Sequence, residues 1–183
     1  SYITHHSAFE YYGYASQVFY EVYVSAQTKF SEFSYDNISF RFISPRINEG
    51  IVMSPDGVRA TDVERTTLDS INDFERIGGL EELLRCLDSV PSLKENKLIA
   101  YLDKYNKRFL YQKTAYILGH FQSRFRLSER FFQLCELAKG NSVRYLYNEI
   151  RYESPAYDSR WKLFVPQDLM AIISKGVADI GEI

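Results

Sequence analysis

The run Val58-Arg59-Ala60-Thr61-Asp62-Val63-Glu64-Arg65-Thr66-Thr67-Leu68-Asp69, residues 58–69, is where the chain changes period. Thr61 and Glu64 have the spacing of a capping box, in which hydroxyl and carboxylate each satisfy an orphan backbone N–H. Val63, Thr67, Ile71 and Phe74 then follow at spacings of 4, 4 and 3, which predicts one buried helical face. Upstream of Thr61 the alternation is that of strands. Phe33 and Tyr35 lead into Asp36-Asn37, and Ile38, Phe40 and Phe42 alternate with Ser39 and Arg41. Both Asp and Asn tolerate a left-handed backbone, so this is a hairpin signal. Ile51-Val52-Met53, Pro55-Asp56-Gly57 and Val58-Arg59-Ala60 predict a second hairpin, with Gly57 supplying the positive φ. Val18, Tyr20, Val22 and Val24 share one face of a further predicted strand.

Working outward, Ser7 to Tyr12 reads as a short helix capped by Thr4 or Ser7 and ended by Gly13. Downstream, Leu80, Leu83, Leu84 and Leu87 mark a helix that Pro91 stops, and Ser92 with Glu95 predicts another capping box. Helices are expected over about 108–119 and 128–139, the second closed by Gly140. Segments 143–150 and 160–165 read as strands, and Pro166-Gln167-Asp168 opens a terminal helix. The expectation is an α+β fold: a short N-terminal helix, a small antiparallel sheet, a helical bundle and a mixed α/β tail. Residues 1–183 are read as one domain, mainly strands over 1–60, helical over 61–140 and mixed over 141–183.

The 183 residues suffice for a substantial core. Aromatics reach 16% and apolar residues 45%, which excludes general disorder. A formal charge of −2 argues against a surface that grips nucleic acid everywhere. Cys86 and Cys135 form neither a disulfide framework nor a zinc pattern. No apolar run approaches the roughly 18 residues of a membrane helix. These features predict a soluble, reduced, cytoplasmic protein with no membrane partner.

The near-neutral total conceals a division. Residues 62–90 carry eight acidic against three basic residues, and residues 94–130 nine basic against three acidic. Lys104, Lys107 and Arg108 share a face if one helix runs through Asn106, with Tyr101, Tyr105, Phe109 and Tyr111 interleaved. Phosphate pairing and base stacking make that composition a candidate nucleic-acid or partner surface, extended by Lys113, Arg124 and Arg126. An internal match between an acidic and a basic helical half is the competing explanation. Asp69 and Asp73, four apart, read as a solvated acidic face. His5, His6 and His120 read as surface or cap histidines, because no Glu or Cys stands at a spacing that completes a metal site. No metal, cofactor or nucleophile motif is expected. The one catalytic alternative is a metal-dependent nuclease using Asp56, Glu95 and Lys97.

The order of these segments resembles the C-terminal domain of AbiEi-family antitoxins, the transcriptional regulators of type IV toxin–antitoxin systems in abortive infection and phage defence. The resemblance rests on Ser7, Ala8 and Gly13 of the opening helix, on the strand at Val22-Tyr23-Val24, on the Ile38–Phe42 hairpin and on Asp62-x-Glu64-Arg65-x-x-x-Asp69. It covers residues 1 to about 120. It implies a non-catalytic domain that contributes to neutralising a nucleotidyltransferase-like toxin encoded beside it. In the family an upstream winged helix-turn-helix domain binds promoter DNA, and that domain is expected before Ser1 and absent from this chain.

Overall fold

The computed structural model describes residues 1–178. The fold is α+β. The contacts group the chain into two compact units, Ser1–Tyr105 and Asn106 onward.

The first unit begins with β1 (Tyr2–Ile3), α1 (His5–Tyr12), β2 (Glu21–Ser25), β3 (Phe33–Tyr35), β4 (Ile38–Ile43), β5 (Ile51–Met53) and β6 (Arg59–Thr61). The strands form one sheet in the order β3-β4-β2-β1-β6-β5. Both predicted hairpins are present. Asp36 (φ 50°) and Asn37 (φ 63°) turn β3 into β4, and Gly57 (φ 84°) turns β5 into β6. These left-handed angles match the twist of the paired strands. The sheet is nevertheless mixed and not antiparallel, because β2 pairs parallel with β4 and β1 parallel with β6. β3 occupies the outer edge, so the chain leaving its hairpin re-enters beside β2 in the same direction. The strand around Val22 is shorter than its alternation suggests: it opens at Glu21, leaving Val18 and Tyr20 exposed.

Three helices complete this unit: α2 (Val63–Asn72), α3 (Leu80–Ser89) and α4 (Glu95–Tyr105). A short 3-10 turn, Phe74–Ile77, links the first two and ends at Gly78. α2 is buried on nearly every side, polar residues included. Phe9, Leu68, Ile71, Leu83, Leu84 and Leu98 form the core beside it, each fully buried.

The second unit holds α5 (Arg108–Gly119), α6 (Gln122–Phe125), α7 (Glu129–Ala138), β7 (Arg144–Tyr145), β8 (Ala156–Asp158), β9 (Leu163–Val165) and α8 (Ala171–Ala178). Ser128 caps α7, its hydroxyl receiving the N–H of Phe131. Asp168 receives the N–H of Ala171 ahead of α8. The small sheet runs β7-β9-β8, parallel then antiparallel. Buried Gln112 ties α5 to the tail by donating to the carbonyls of Ser142 (2.8 Å) and Trp161 (3.0 Å). Among the described residues no helix is long and apolar enough to cross a membrane.

Candidate functional site

The charged motif Asp62–Asp69 lies at the centre of the first unit. Asp62 is the N-cap of α2, its carboxylate receiving the N–H of Arg65 at 2.8 Å. The same carboxylate accepts from Lys97 Nζ (2.9 Å) and from the Tyr101 hydroxyl (2.7 Å). Burial first, then this hydrogen bond, drives the Tyr101 phenol well above its ordinary pKa. The cap therefore falls one residue later than the Thr61–Glu64 box. Thr61 pairs its hydroxyl with that of Thr66 at 2.7 Å, and Glu64 reaches across to the N–H of Lys94 at 2.7 Å. The same contact displaces the Ser92–Glu95 box: α4 opens at Glu95, after a residue whose N–H is already held by α2.

Arg65 is 1% exposed. Its Nε donates to Asp69 Oδ1 at 2.8 Å, and its Nη1 to the carbonyls of Ile47 (3.0 Å) and Glu49 (2.6 Å). One guanidinium thus holds the irregular segment between β4 and β5 against α2. Gly50 allows the approach, since a Cβ there would lie 2.8 Å from Arg65 Cβ. Asp69 also receives the hydroxyls of Thr4 (2.9 Å) and Tyr105. The reading of Asp69 and Asp73 as a solvated acidic face is corrected: Asp69 is 3% exposed and fully engaged. Asp73 alone is partly exposed, 3.7 Å from Arg76.

His5 and His6 are likewise buried and not surface residues. His6 lies between Glu10 (3.2 Å) and Glu82 (3.1 Å) and stacks on Phe19 with centroids 3.6 Å apart. Glu82 also accepts the N–H groups of Ser16 and Gln17 and the Ser16 hydroxyl. Burial pushes its carboxyl up, but the hydrogen bonds from Ser16 and His6 outweigh burial and hold it below the ordinary value. His120 is exposed at the end of α5, with Nδ1 2.9 Å from the Tyr116 carbonyl. No group of three His, Cys, Asp or Glu side chains that suits a metal ion occurs among the described residues.

The alternative trio is distributed over separate roles. Asp56 sits at the hairpin tip and accepts from the Tyr11 hydroxyl at 2.9 Å. Lys97 serves Asp62 and lies 3.9 Å from Glu64, while Glu95 opens α4.

The basic candidates divide in the same way. Asn106, with φ 47°, ends the helical path, so Lys104 does not share a helix face with Lys107 and Arg108. Lys104 belongs to α4, 3.8 Å from Glu49; Lys107 is the N-cap position of α5 and Arg108 its first residue. Lys113 is 6% exposed with Nζ 5.1 Å from the Phe109 ring centroid, which removes it from a surface set. Lys107, Arg108, Arg124 and Arg126 are exposed in the second unit. Tyr101 and Tyr105 point their hydroxyls into the Asp62 and Asp69 clusters, leaving neither as an open stacking platform.

The sequence reading did not single out the cavity of about 140 Å³ in the first unit, bounded by His5, Ser25, Ser44, Arg46, Arg65 and Arg76. Its arginines are spread over 30 residues of sequence in no motif. Comparison of the chain with protein-family models, with curated proteins and with solved structures finds no match.

Proposed function

We propose that this chain is a non-catalytic regulatory domain of the AbiEi antitoxin type. In that reading it acts in the cytoplasm and contributes to neutralising a nucleotidyltransferase-like toxin encoded beside it. It also contributes to promoter autoregulation together with a winged helix-turn-helix domain upstream. One observation supports the reading above the others. The Asp62-x-Glu64-Arg65-x-x-x-Asp69 motif that carries the resemblance has every charged group bound to backbone or to a buried partner. Such a motif organises a scaffold and leaves no carboxylate or guanidinium of its own for chemistry. Lys107, Arg108, Arg124 and Arg126, all exposed, would make an auxiliary DNA or partner contact.

The test is co-expression of the chain with the adjacent toxin. The expected outcome is restored growth, and a weaker rescue or DNA affinity when Lys107, Arg108, Arg124 and Arg126 are reversed to Glu in a protein that remains folded. Absence of rescue by the unaltered chain, or Mg²⁺-dependent cleavage of DNA or RNA that disappears in Asp56→Asn, overturns the reading.

A further inference from the structure

The cavity beside α2 has a charge arrangement that the internal architecture does not use. Three guanidiniums, those of Arg46, Arg65 and Arg76, meet two carboxylates there. Asp69 is saturated, with Oδ1 taken by Arg65 and Tyr105 and Oδ2 by Thr4. Asp73 stands 3.7 Å from Arg76 Nε, beyond hydrogen-bond range. Arg76 carries its guanidinium 5.8 Å from the Tyr23 ring centroid, a contact that orients it without using its N–H donors. Neither Arg46 nor Arg76 makes a hydrogen bond among the described residues. Arg65 is held by hydrogen bonds to Asp69 and two carbonyls, whereas Arg76 has, among the described residues, only the long ion pair with Asp73 and the Tyr23 ring.

The floor is polar and pre-placed. Ser25, the last residue of β2, is 2% exposed and lines the cavity. His5 is 5% exposed and uses one ring nitrogen on Thr4 at 3.1 Å. The Ser25 hydroxyl and the Arg46 and Arg76 guanidiniums line one cavity, a donor set suited to a tetrahedral oxyanion.

Size narrows the ligand. About 140 Å³ is far above the roughly 10–15 Å³ that admits one water and well below the roughly 300–1,000 Å³ of a drug-sized site. From these observations we propose that the Arg46–Arg76 cavity binds a single phosphoryl group, as inorganic phosphate or as the terminal phosphate of a nucleic acid. Arg46 and Arg76 grip its outer oxygens, and the Ser25 hydroxyl donates to one turned inward. This site is independent of the antitoxin reading.

The full chain is titrated calorimetrically with inorganic phosphate. Separately, a 5′-phosphorylated and a 5′-hydroxyl oligonucleotide of one sequence are compared by fluorescence anisotropy. Arg46→Gln and Arg76→Gln are the variants, with unchanged thermal melting as the check on folding. Expected is one phosphate per chain, with affinity reduced about tenfold or more in each variant, the usual scale of a hydrogen bond to a charged group. A preference for the 5′-phosphorylated strand that Arg46→Gln removes assigns the ligand to a nucleic-acid end. Equal binding of the two strands assigns it to the free ion. No phosphate binding by the unaltered chain, or unchanged affinity in the folded Arg46→Gln/Arg76→Gln double variant, overturns the proposal. Should Arg76→Gln fail to fold, exposed and unpartnered Arg46 carries the same test alone.

Discussion

Arg65 and Asp69, one turn apart on α2, form a 2.8 Å ion pair whose side chains are 2% and 4% exposed. Removing two charges from water is costly, and their attraction offsets that cost only when the remaining donors and acceptors are also met. Here they are met by the carbonyls of Ile47 and Glu49 and by the hydroxyls of Thr4 and Tyr105. The pair is a junction between the start of α1, the segment after β4, α2 and α4.

Arg65→Met deletes the junction's only cation and leaves Asp69 buried and uncompensated. A loss of about 3–5 kcal/mol is expected, the usual scale for breaking a buried pair from one side. Urea unfolding checks it, and a loss below about 1 kcal/mol would contradict the buried geometry. Lys at this position does not rescue, because an ammonium lacks the fork that reaches Asp69 and two carbonyls together.

His5 governs a different pH range. Burial pulls its pKa below 6.5, against the opposing pull of Asp69 and Asp73 and with that of Arg65 and Arg76. Below pH 6.5 the unfolded chain takes up a proton that the native chain resists. Stability from this group is therefore complete above that value and falls as the pH drops, by at most about 1.4 kcal/mol per pH unit. His5→Asn suits the position, since φ is 52° and Asn tolerates the left-handed region. Urea midpoints measured from about pH 7 to about pH 5 are expected to decline less steeply in His5→Asn than in the unaltered chain.

Gly13 and Gly78 both end helical turns in the left-handed conformation, with φ 76° and 81°. A methyl at Gly13 meets open space, whereas one at Gly78 would stand 2.5 Å from Phe19 Cζ. Gly13→Ala should cost the conformational penalty alone, about 1–2 kcal/mol. Gly78→Ala adds displacement of Phe19 from its stack on His6, so its measured cost should be clearly larger. Equal costs would show that Phe19 shifts freely.

Cys86 and Cys135 are free thiols in the two cores. Burial pushes the Cys135 thiol up to about 12 and the Cys86 thiol higher still, the latter helped by the Glu82 carboxylate. The thiolate is the reactive form, so both should resist a disulfide reagent in the native protein at mildly alkaline pH and react fully on denaturation. Fast labelling of either thiol in the native state would contradict its burial.

Features written in adjacent residues were legible in the sequence. Asp36-Asn37 and Gly57 announced their hairpins because the turn chemistry is local, and the leucines of α3 announced its buried face. Features made by distant residues were not. Whether β2 runs parallel to β4 depends on where the β3 hairpin inserts, which no short window records. His5 and His6 read as surface residues because Asp69 and Glu82, which enclose them, lie 64 and 76 positions away. The Thr61–Glu64 box failed because Asp62 competes for the same cap and Glu64 has a partner at Lys94. Lys104, Lys107 and Arg108 were placed on one face by assuming helix through Asn106, whose positive φ ends it. The Arg46–Arg76 cavity drew no notice, since it is assembled from a strand end, a loop and a helix terminus.

β1 lies in the interior of the six-stranded order, antiparallel to β2 on one side and parallel to β6 on the other. The earliest residues of this segment to be synthesised are therefore among the last to find all their neighbours. Tyr2 and Ile3 pair with Val24 and Ser25 soon after emergence, but Ile3 must wait for Ala60. Until then one edge of β1 has no strand to pair with. The sheet's continuity across β1 is therefore settled only when β6, nearly sixty residues further on, is in place.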